Sequence, residues 1–469
     1  MVARGDDIRT VALVSLGCPK NLVDSERMLG LLAQHGLIIA ADPRDADAIV
    51  INTCGFLQAA REESLEEIRK AIDLKTTGRC RRVIVAGCLT QRERLRLLEE
   101  VPGIDRLVGV FDRENIVRAV CGLPDEREAH GQYLGRYHQM SPAQYDDRAR
   151  LRLTPRHYAY LRICDGCSRG CSFCTIPAIR GPLRSKPIEQ IIAEADELAA
   201  DGAVELNLIG QDTTSYGSDI GYAPGLAGLL RTLDRRLPAG VRWIRLMYAY
   251  PRGFTDEMID AIASCGRVVK YIDLPLQHIS DAMLARMNRR VTRRQIETLL
   301  EKLRRRVPGI VIRTTFICGA AGETEEDHQQ LLRFVRDFRF DMMGVFVYSR
   351  EPGTRMARMS GHLPDDVKKR RAEALMLAQR EIAFDAARRM VGRTIQVLVD
   401  GRDTRDAARF TARSAGQAPE IDSVVLVRAQ GLRPGQFIEA RVIDAEGYDL
   451  VAEPALAHAG ASGPRARRP

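Results

Sequence analysis

The stretch of sequence that decides the fold is YLRICDGCSRGCSFCTIPAIRG, residues 160–181. It begins like a β-strand with alternating side chains and continues into a loop where Cys167, Cys171 and Cys174 have the spacing CxxxCxxC. Three thiolates in one loop can hold three irons of a 4Fe-4S cluster and leave the fourth iron open to an outside ligand. The alternative is a zinc knuckle, but a closed zinc site needs four ligands and usually has two spaced cysteine pairs. The loop therefore predicts an iron-sulfur site.

Strand and helix patterns alternate downstream of this loop. The predicted strands are YAYLRIC, VELNLIG, VRWIRLMYAY, YIDLPLQ, IVIRTTFICG and DMMGVFVYS, with amphipathic helices between them. Because these are fewer units than the eight of a closed TIM barrel, we predict a partial (βα)6 barrel. The cysteine loop would then leave the first strand at the end where such barrels carry their active sites. Cys164 belongs to that strand, so we expect it to be buried and not to ligate a metal.

A second group of cysteines lies in the first part of the chain, where strands and helices also alternate. Cys18, Cys54 and Cys88 each follow an apolar run that predicts a parallel strand. Because the carboxyl ends of parallel strands meet at one edge of a sheet, the three side chains should converge, and three gathered thiolates match soft-metal or iron-sulfur ligation. The alternative is burial as small apolar side chains. Cys80 and Cys121 do not follow strands, and we interpret both as packing residues.

The patterning predicts an α/β protein built from successive segments. They are an open parallel α/β domain over 1–121, a linker over 122–155, the partial barrel with a trailing helix over 156–389, a small antiparallel β-barrel over 390–457, and a disordered basic tail over 458–469.

The composition places the chain among large globular proteins. Of its 469 residues, 45% are hydrophobic and 28% are charged, which excludes a disordered, collagen-like or coiled-coil chain. We recognise neither a signal peptide nor a run of ~20 apolar residues, so we expect a cytoplasmic protein that does not enter membranes. In that reducing compartment the eleven cysteines favour metal or redox chemistry over disulfides. The net charge of +9 suits an acidic or nucleic-acid-containing partner.

The cysteine-containing motifs resemble a known enzyme class. The pattern CxFCxIPxxRG of Cys171–Gly181 is similar to the methylthiotransferase branch of the radical S-adenosylmethionine (SAM) enzymes. The N-terminal domain of that branch resembles SLGCPKNLVDSE (15–26), NTCGF (52–56) and AGCL (86–89), and the C-terminal segment resembles a TRAM domain. The resemblance therefore covers almost the whole chain.

Three further motifs narrow the resemblance to the RimO family. They are QDTTSYG (211–217), LPLQHISDAMLARMNR (274–289) and APEID (418–422). The tRNA-modifying relatives typically show LQSGS where this chain has LQHIS at Leu276–Ser280. The resemblance implies a methylthiotransferase that modifies the β-carbon of an aspartate in small-subunit ribosomal protein twelve. A tRNA adenosine methylthiotransferase of the same architecture is the first alternative, and a non-catalytic iron-sulfur or zinc RNA-binding protein is the second.

The resemblance also implies cofactors and partners. Two SAM molecules and two 4Fe-4S clusters would serve one product: the Cys167, Cys171 and Cys174 cluster would bind SAM, and the Cys18, Cys54 and Cys88 cluster would hold the sulfur. The electron donor would be a protein such as flavodoxin or ferredoxin. We expect a monomer that meets its substrate as a free protein or on the ribosomal subunit.

Polar residues at the ends of the barrel strands are the candidates for contacts to SAM and substrate. We assign SAM contacts to Phe173, Gln211, Gln277 and Arg313. The other polar candidates at strand ends are Asp212, His278, Thr315, Tyr348 and Ser349. For any one polar candidate, hydrogen bonding to loop backbone is an equally good interpretation, and for Phe173 the alternative is hydrophobic shielding of the cluster. His278 need not be a base, because radical abstraction requires none.

The charge of the C-terminal segment bears on the choice between a protein and an RNA substrate. Residues 391–457 hold eight arginines and ten acidic residues, a net charge of −2, whereas RNA-binding barrels need a basic track for the phosphates. We therefore expect a basic protein substrate, although a barrel that only braces the fold would satisfy the same count. A very basic helix predicted around Arg286–Arg306 is interpreted as a solvated face.

Overall fold

The computed structural model describes residues 8–123, 133–134 and 146–455. The predicted tail and most of the predicted linker lie outside these residues. The first part of the chain contains the strands β1 (Thr10–Ser15), β2 (Ile38–Ile39), β3 (Ala48–Thr53), β4 (Arg82–Gly87), β5 (Arg106–Val108) and β6 (Tyr133–Leu134) and the helices α1 (Pro19–Gln34), α2 (Gln58–Thr77), α3 (Cys88–Glu93), α4 (Arg96–Glu100) and α5 (Ile116–Cys121).

The N-terminal strands form an open parallel sheet. Within the described residues its order is β2-β1-β3-β4-β5-β6, with helices on both faces. All six residues of β3 are buried because this strand lies inside the sheet and is covered on both sides. The reversal of chain order beside β1 puts the loops after β1, β3 and β4 at one edge, the usual ligand crevice of such sheets.

The central part of the chain forms the predicted partial barrel. Its strands are β7 (Tyr158–Arg162), β8 (Cys164–Asp165), β9 (Arg184–Ser185), β10 (Glu205–Ile209), β11 (Trp243–Leu246), β12 (Val268–Asp273), β13 (Val311–Cys318) and β14 (Met342–Val347). Its helices are α6 (Ile176–Arg180), α7 (Ile188–Ala200), α8 (Gly225–Arg236), α9 (Asp256–Ser264), α10 (Asp281–Arg286), α11 (Arg293–Arg306), α12 (Glu325–Phe338) and α13 (Asp365–Arg388).

The barrel strands pair in the order β14-β13-β12-β11-β10-β7, every pair parallel, and a buried apolar core fills the space between them and the surrounding helices. The order is open between β14 and β7, so the fold is a partial barrel as predicted. The basic helix expected around Arg286–Arg306 is wrong as one element. It is two helices, because Asn288 and Arg290 take left-handed backbone conformations with φ of 53° and 52° between them.

The C-terminal part is a closed barrel. Its strands are β15 (Thr394–Arg402), β16 (Arg409–Ser414), β17 (Val425–Arg428), β18 (Phe437–Glu446) and β19 (Asp449–Pro454). They close in the order β15-β16-β17-β19-β18, and within this described barrel the pairs are antiparallel except for the parallel pair β17–β19. The barrel packs Leu398, Ala418 and Phe437 against the apolar side chains of the central strands. No helix among the described residues is long and apolar enough to cross a membrane.

Candidate functional site: two cysteine triads at strand ends

The N-terminal triad is assembled by three loops that touch one another. Cys18 precedes α1, Cys54 follows β3 and Cys88 begins α3. Gly17 has a φ of +89°, and a β-carbon added there would lie 2.8 Å from Cys54 Cβ. A β-carbon on Gly55 would lie 3.1 Å from the carbonyl carbon of Cys88. The structure therefore brings the three cysteines together, and their role as ligands remains a prediction.

The charges around this triad come from both domains. Burial opposes ionisation of Cys18, but the cations of Lys20 and Arg180 and the N–H groups at the start of α1 hold the pKa of its thiol below the ordinary value. Burial raises the pKa of the Cys88 thiol to about 12, with the Arg180 cation opposing the rise. Burial also raises the pKa of Cys54, and the neighbouring Cys18 adds to this effect. The Arg180 cation acts to lower the pKa of all three thiols, so the triad lies beside one shared positive charge.

The second triad lies in the loop that follows β7 and β8. Cys174 N donates to the carbonyl oxygen of Cys171 at 3.2 Å, and Cys167 N donates to Gly181 at 3.1 Å. The loop can turn because Gly166 and Gly170 have φ of 76° and 66°. Local turns thus gather three cysteines that are close in sequence.

Cations and an aromatic ring surround the second triad. Burial raises the pKa of Cys167 to about 11 and that of Cys174 to about 12. Arg289 Nη1 lies 3.6 Å from Cys171 Sγ, and its guanidinium stacks 4.1 Å from the centre of the Tyr250 ring. A thiolate-bound cluster at this place would face donors that stabilise negative charge on sulfur.

The spacing of the sulfurs can be compared with that of a single zinc site. A Zn–S distance of about 2.3 Å keeps two sulfurs on one zinc within about 4.6 Å of each other. In neither triad, over the part of the chain that the structure describes, do the three sulfurs all lie within 4.8 Å of one another. The sulfurs are therefore not arranged around one zinc ion, and the iron-sulfur assignment of both triads remains a prediction.

Two of the predicted SAM contacts carry a polar atom without a partner. Gln211 Nε2 donates to Asp165 Oδ1 at 2.5 Å, but its amide oxygen is buried and has no hydrogen-bond partner among the described residues. The amide oxygen of Gln277 is in the same situation, and this residue has a φ of 73°. Because buried polar groups are normally satisfied, these oxygens fit a ligand with donor groups.

The other two predicted contacts have protein partners. Phe173 packs against a buried group that contains Met283, Met287 and Tyr348, so its ring is part of an apolar wall. Arg313 is held by two carboxylates, Asp273 at 2.9 Å and Asp422 of the C-terminal barrel at 3.3 Å. Its role as a SAM contact remains a prediction that its present ion pairs do not test.

The other polar candidates differ in whether their side chains already have hydrogen-bond partners in the protein. His278 is fully buried, and its Nδ1 accepts the N–H of Ser280 at 3.0 Å at the start of α10. Burial lowers the pKa of His278 to about 4, so this ring is neutral near pH 7. Asp212 accepts from Arg169 Nε at 2.5 Å, and Ser349 Oγ donates to Glu351. The Tyr348 hydroxyl is buried without a partner in the described part of the chain.

Cys164 and Cys80, which the sequence predicted not to be ligands, are buried. Cys164 is 1% exposed, and a β-carbon on Gly210 would lie 2.5 Å from its sulfur, which confirms that this cysteine is buried. Cys80 is also buried, and Cys121 ends α5.

A third group of ligand-type side chains is already satisfied. Cys318, Glu323 and His328 are buried with their donor atoms within 4.8 Å of one another. The Glu323 carboxylate accepts from Arg371 Nη1 at 2.8 Å and from Gly319 N at 2.7 Å. The guanidinium supplies the positive charge that a metal would bring, so we assign no metal to this group.

The prediction from sequence missed a buried network of charges between the two domains. Arg162 and Arg113 share Asp24 of α1 and Asp147, while Lys186 reaches Asp147 Oδ2 at 2.6 Å. Arg180 is part of this network. In the sequence it stands out only as one position of the CxFCxIPxxRG pattern. Its partners Cys88 and Asn21 are 92 and 159 positions away in sequence, so no local pattern indicates these contacts.

Comparisons with known proteins agree with this architecture. The chain matches the Uncharacterized protein family UPF0004 over residues 10–109, the Radical SAM superfamily over 161–335 and the TRAM domain over 391–454. A solved structure of the radical SAM methyltransferase TsrM from Kitasatospora setae is similar, with a TM-score of 0.54, 18% identity, and coverage of 74% of this chain and 75% of that one. The fold, the cysteine loop and the family match thus place this chain in the class of radical SAM proteins.

The relatives at higher identity are more specific. Ribosomal protein uS12 methylthiotransferase RimO of Geobacter sulfurreducens is 45% identical over 446 residues, which cover 94% of this chain and 98% of the relative. The protein of the same name from Pelotomaculum thermopropionicum is 44% identical, covering 95% of this chain and 99% of its own length. The chain belongs to the RimO family.

Proposed function

We propose that this chain is a radical SAM methylthiotransferase that adds a methylthio group to the β-carbon of an aspartate in ribosomal protein uS12. The observation that carries the proposal is that Arg180, which ends the helix after the second cysteine triad, contacts a cysteine of the N-terminal triad. Arg180 contacts Cys88 in the N-terminal triad and Asp165, two residues before Cys167. The relatives with the same architecture bear the name of this activity.

The two triads receive separate roles in this proposal. Cys167, Cys171 and Cys174 hold the 4Fe-4S cluster that binds SAM, and Cys18, Cys54 and Cys88 hold a second 4Fe-4S cluster that carries the sulfur. When bound, SAM and the clusters supply radical and sulfur chemistry, which an aspartate β-carbon requires because it has neither acidity nor nucleophilicity. Radical abstraction needs no side-chain base, and the Nδ1 of His278 accepts a hydrogen bond from Ser280 N.

The protein's own residues bind and orient the reactants. We propose that Gln211 and Gln277 accept hydrogen bonds from SAM through their unpartnered amide oxygens. Phe173 would pack on the adenine, since its ring already forms part of an apolar wall. Arg313 would reach SAM only after release from Asp273 or Asp422, so its substitution tests the weakest of these assignments.

The C-terminal barrel has no excess of basic residues. This favours a protein substrate over tRNA. Of its charged residues, Asp400, Glu420, Asp422 and Arg413 contact the central domain. The remaining arginines and acidic residues of the barrel are equal in number. Its exposed surface is therefore close to neutral, and not acidic as the net charge of −2 for the whole segment implied. A neutral barrel still lacks the basic track that phosphates require.

The basic helix α11 gives no separate support for RNA binding. Lys302 and Arg306 pair with Asp256, and Arg304 pairs with Asp341. These cations are neutralised by neighbouring elements, which favours the interpretation of a solvated face.

Further parts of the proposal concern the setting of the reaction. We propose that the chain works as a monomer in the cytoplasm, receives electrons from flavodoxin or ferredoxin, and acts on uS12 either free or on the small subunit. The segments 1–121, 122–155, 156–389, 390–457 and 458–469 are proposed as its domains, linker and tail.

The experiment is a comparison of cells that lack the gene with cells that express the chain again. We expect uS12 to gain one methylthio group on one aspartate only when the intact chain is present, and expression of the Cys54→Ala variant to leave uS12 unmodified. Tandem mass spectrometry of uS12 and nucleoside analysis of tRNA from the same cells read out both substrates. Methylthiolated tRNA with unmodified uS12 would replace this function by the tRNA alternative.

A further inference from the structure

Arg180 is a buried charge to which the sulfur-transfer reaction assigns no role. It ends α6, the short helix that begins two residues after Cys174, and its side chain is 2% exposed. Pro177 lies in the first turn of the helix, and Gly181 with a φ of 71° follows its last residue. This geometry fixes the backbone of Arg180 relative to the second triad.

The guanidinium of Arg180 reaches across the domain boundary. Its Nη2 lies 3.3 Å from Cys88 Sγ, 3.3 Å from Asn21 Oδ1 and 2.9 Å from Asp24 Oδ2. All three partners belong to the N-terminal domain, and Cys88 is a proposed cluster ligand. The contact is therefore a charge-assisted hydrogen bond from one domain to a sulfur of the other.

The other nitrogen of the guanidinium points to the SAM side. Nη1 donates to Asp165 Oδ2 at 3.0 Å, and the second oxygen of Asp165 accepts from Gln211 Nε2 at 2.5 Å. A continuous chain of contacts thus runs from Cys88 through Arg180 and Asp165 to Gln211. A lysine at position 180 could not form both contacts, because its ammonium group lacks the planar fork of a guanidinium.

We propose that Arg180 is a positioning residue that hydrogen-bonds a ligand sulfur of the N-terminal cluster, raises the reduction potential of that cluster and aligns it with the SAM site. This inference rests on the proposed function, since it takes Cys88 as a cluster ligand. Hydrogen bonds to sulfur and the charge nearby set the potential of an iron-sulfur cluster. A cation beside the sulfur stabilises the reduced, more negative cluster, so its loss moves the potential to a more negative value.

The test uses the full chain with its clusters reconstituted under anaerobic conditions. Redox titrations followed by electron paramagnetic resonance are made on the wild type and on Arg180→Gln, Arg180→Lys and Arg113→Gln. Arg113 is the matched control, because it is buried and also binds Asp24, whereas its described ion pairs are with carboxylates and not with a cysteine. A variant with Cys167, Cys171 and Cys174 changed to Ala assigns the N-terminal signal.

We expect Arg180→Gln to shift the N-terminal potential to a more negative value, with a smaller shift in Arg180→Lys and no shift in Arg113→Gln. Loss of the N-terminal cluster in the Arg180 variants alone would also support the contact. Unchanged potentials in both Arg180 variants, or equal changes in Arg113→Gln, would overturn the proposal. Absence of an N-terminal signal from the wild type would instead contradict the two-cluster function.

Discussion

Single residues decide how closely the N-terminal loops approach each other. Gly17 shows this most clearly, because its left-handed backbone and the 2.8 Å approach to Cys54 exclude any side chain. The strain of a left-handed alanine is about 1–2 kcal/mol, and the clash with Cys54 adds to it. The cost falls on the loop that carries Cys18 and not on the central barrel.

Gly17→Ala is expected to lose the iron of the N-terminal cluster, about half of the total, while SAM cleavage at the other cluster continues. Gly36→Ala is the matched control, because Gly36 has a φ of 87° but nothing within 4 Å of an added β-carbon. Iron analysis and product chromatography measure both quantities. Full iron content in Gly17→Ala would contradict the assembly described for this triad.

His278 provides a pH-dependent test at the same scale. Because its folded pKa of about 4 lies below the value of about 6.5 in an unfolded chain, the unfolded state binds the extra proton as the pH falls. Stability is therefore lost on acidification through this window. Between pH 7 and pH 5 the wild type should lose about 2 kcal/mol more than His278→Asn, whose amide can still accept from Ser280.

Denaturant unfolding of the metal-free protein at the two pH values measures this difference. His35→Asn, a change at an exposed histidine, should behave like the wild type. Equal losses in wild type and His278→Asn would show that the histidine is not held neutral.

The convergence of the three N-terminal cysteines could be predicted from sequence, whereas the contact between Arg180 and Cys88 could not. Cys18, Cys54 and Cys88 each follow an apolar run, so a rule about parallel strands brings them together without knowledge of the fold. Arg180 lies 92 positions from Cys88 in sequence, and only the packed structure shows their contact. The partners of Arg313 on β12 and in the C-terminal barrel were hidden for the same reason.

At the scale of elements, the two cysteine loops are built in different ways. One is a single loop between β8 and α6, and the other is made of three loops that depend on the edge of a sheet. Replacement of the cysteines of one triad should therefore abolish the cluster of that triad alone. The apolar strand patterns predicted these elements closely, whereas the break between α10 and α11 depends on left-handed residues that no periodicity indicates.

Replacement of Cys167, Cys171 and Cys174 by Ala should halve the iron and abolish reductive SAM cleavage. Replacement of Cys18, Cys54 and Cys88 should also halve the iron but leave SAM cleavage while stopping sulfur transfer, because the radical is made at the other cluster. The paired triple variants control for each other, and methylthiolated product from the second one would assign the sulfur to a different site.

At the scale of the whole molecule, the C-terminal barrel is attached through buried charges. Arg413 binds Glu205 of β10 at 2.7 Å and Asp400 of its own barrel at 2.9 Å, and Glu205 is fully buried. Sequence could predict the barrel from its short strands and glycine turns. It could not predict this docking, because the contact joins residues 208 positions apart.

Arg413→Met is expected to loosen the barrel, since a buried carboxylate that loses a partner costs about 3 kcal/mol. Hydrogen exchange should increase in β15–β19 and stay unchanged in the N-terminal sheet. Arg428→Met, at an exposed position of β17, is the control. Unchanged exchange in Arg413→Met would show that apolar contacts alone hold the barrel in place.

The central claim is that two cysteine triads act together on an aspartate of uS12. The most direct measurement is tandem mass spectrometry of purified uS12 after incubation with the reconstituted chain, SAM and a reductant. The account predicts one methylthio group on the β-carbon of a single aspartate, formed by the intact chain and by neither triple-cysteine variant. Unmodified uS12 beside methylthiolated tRNA in a parallel reaction would contradict it.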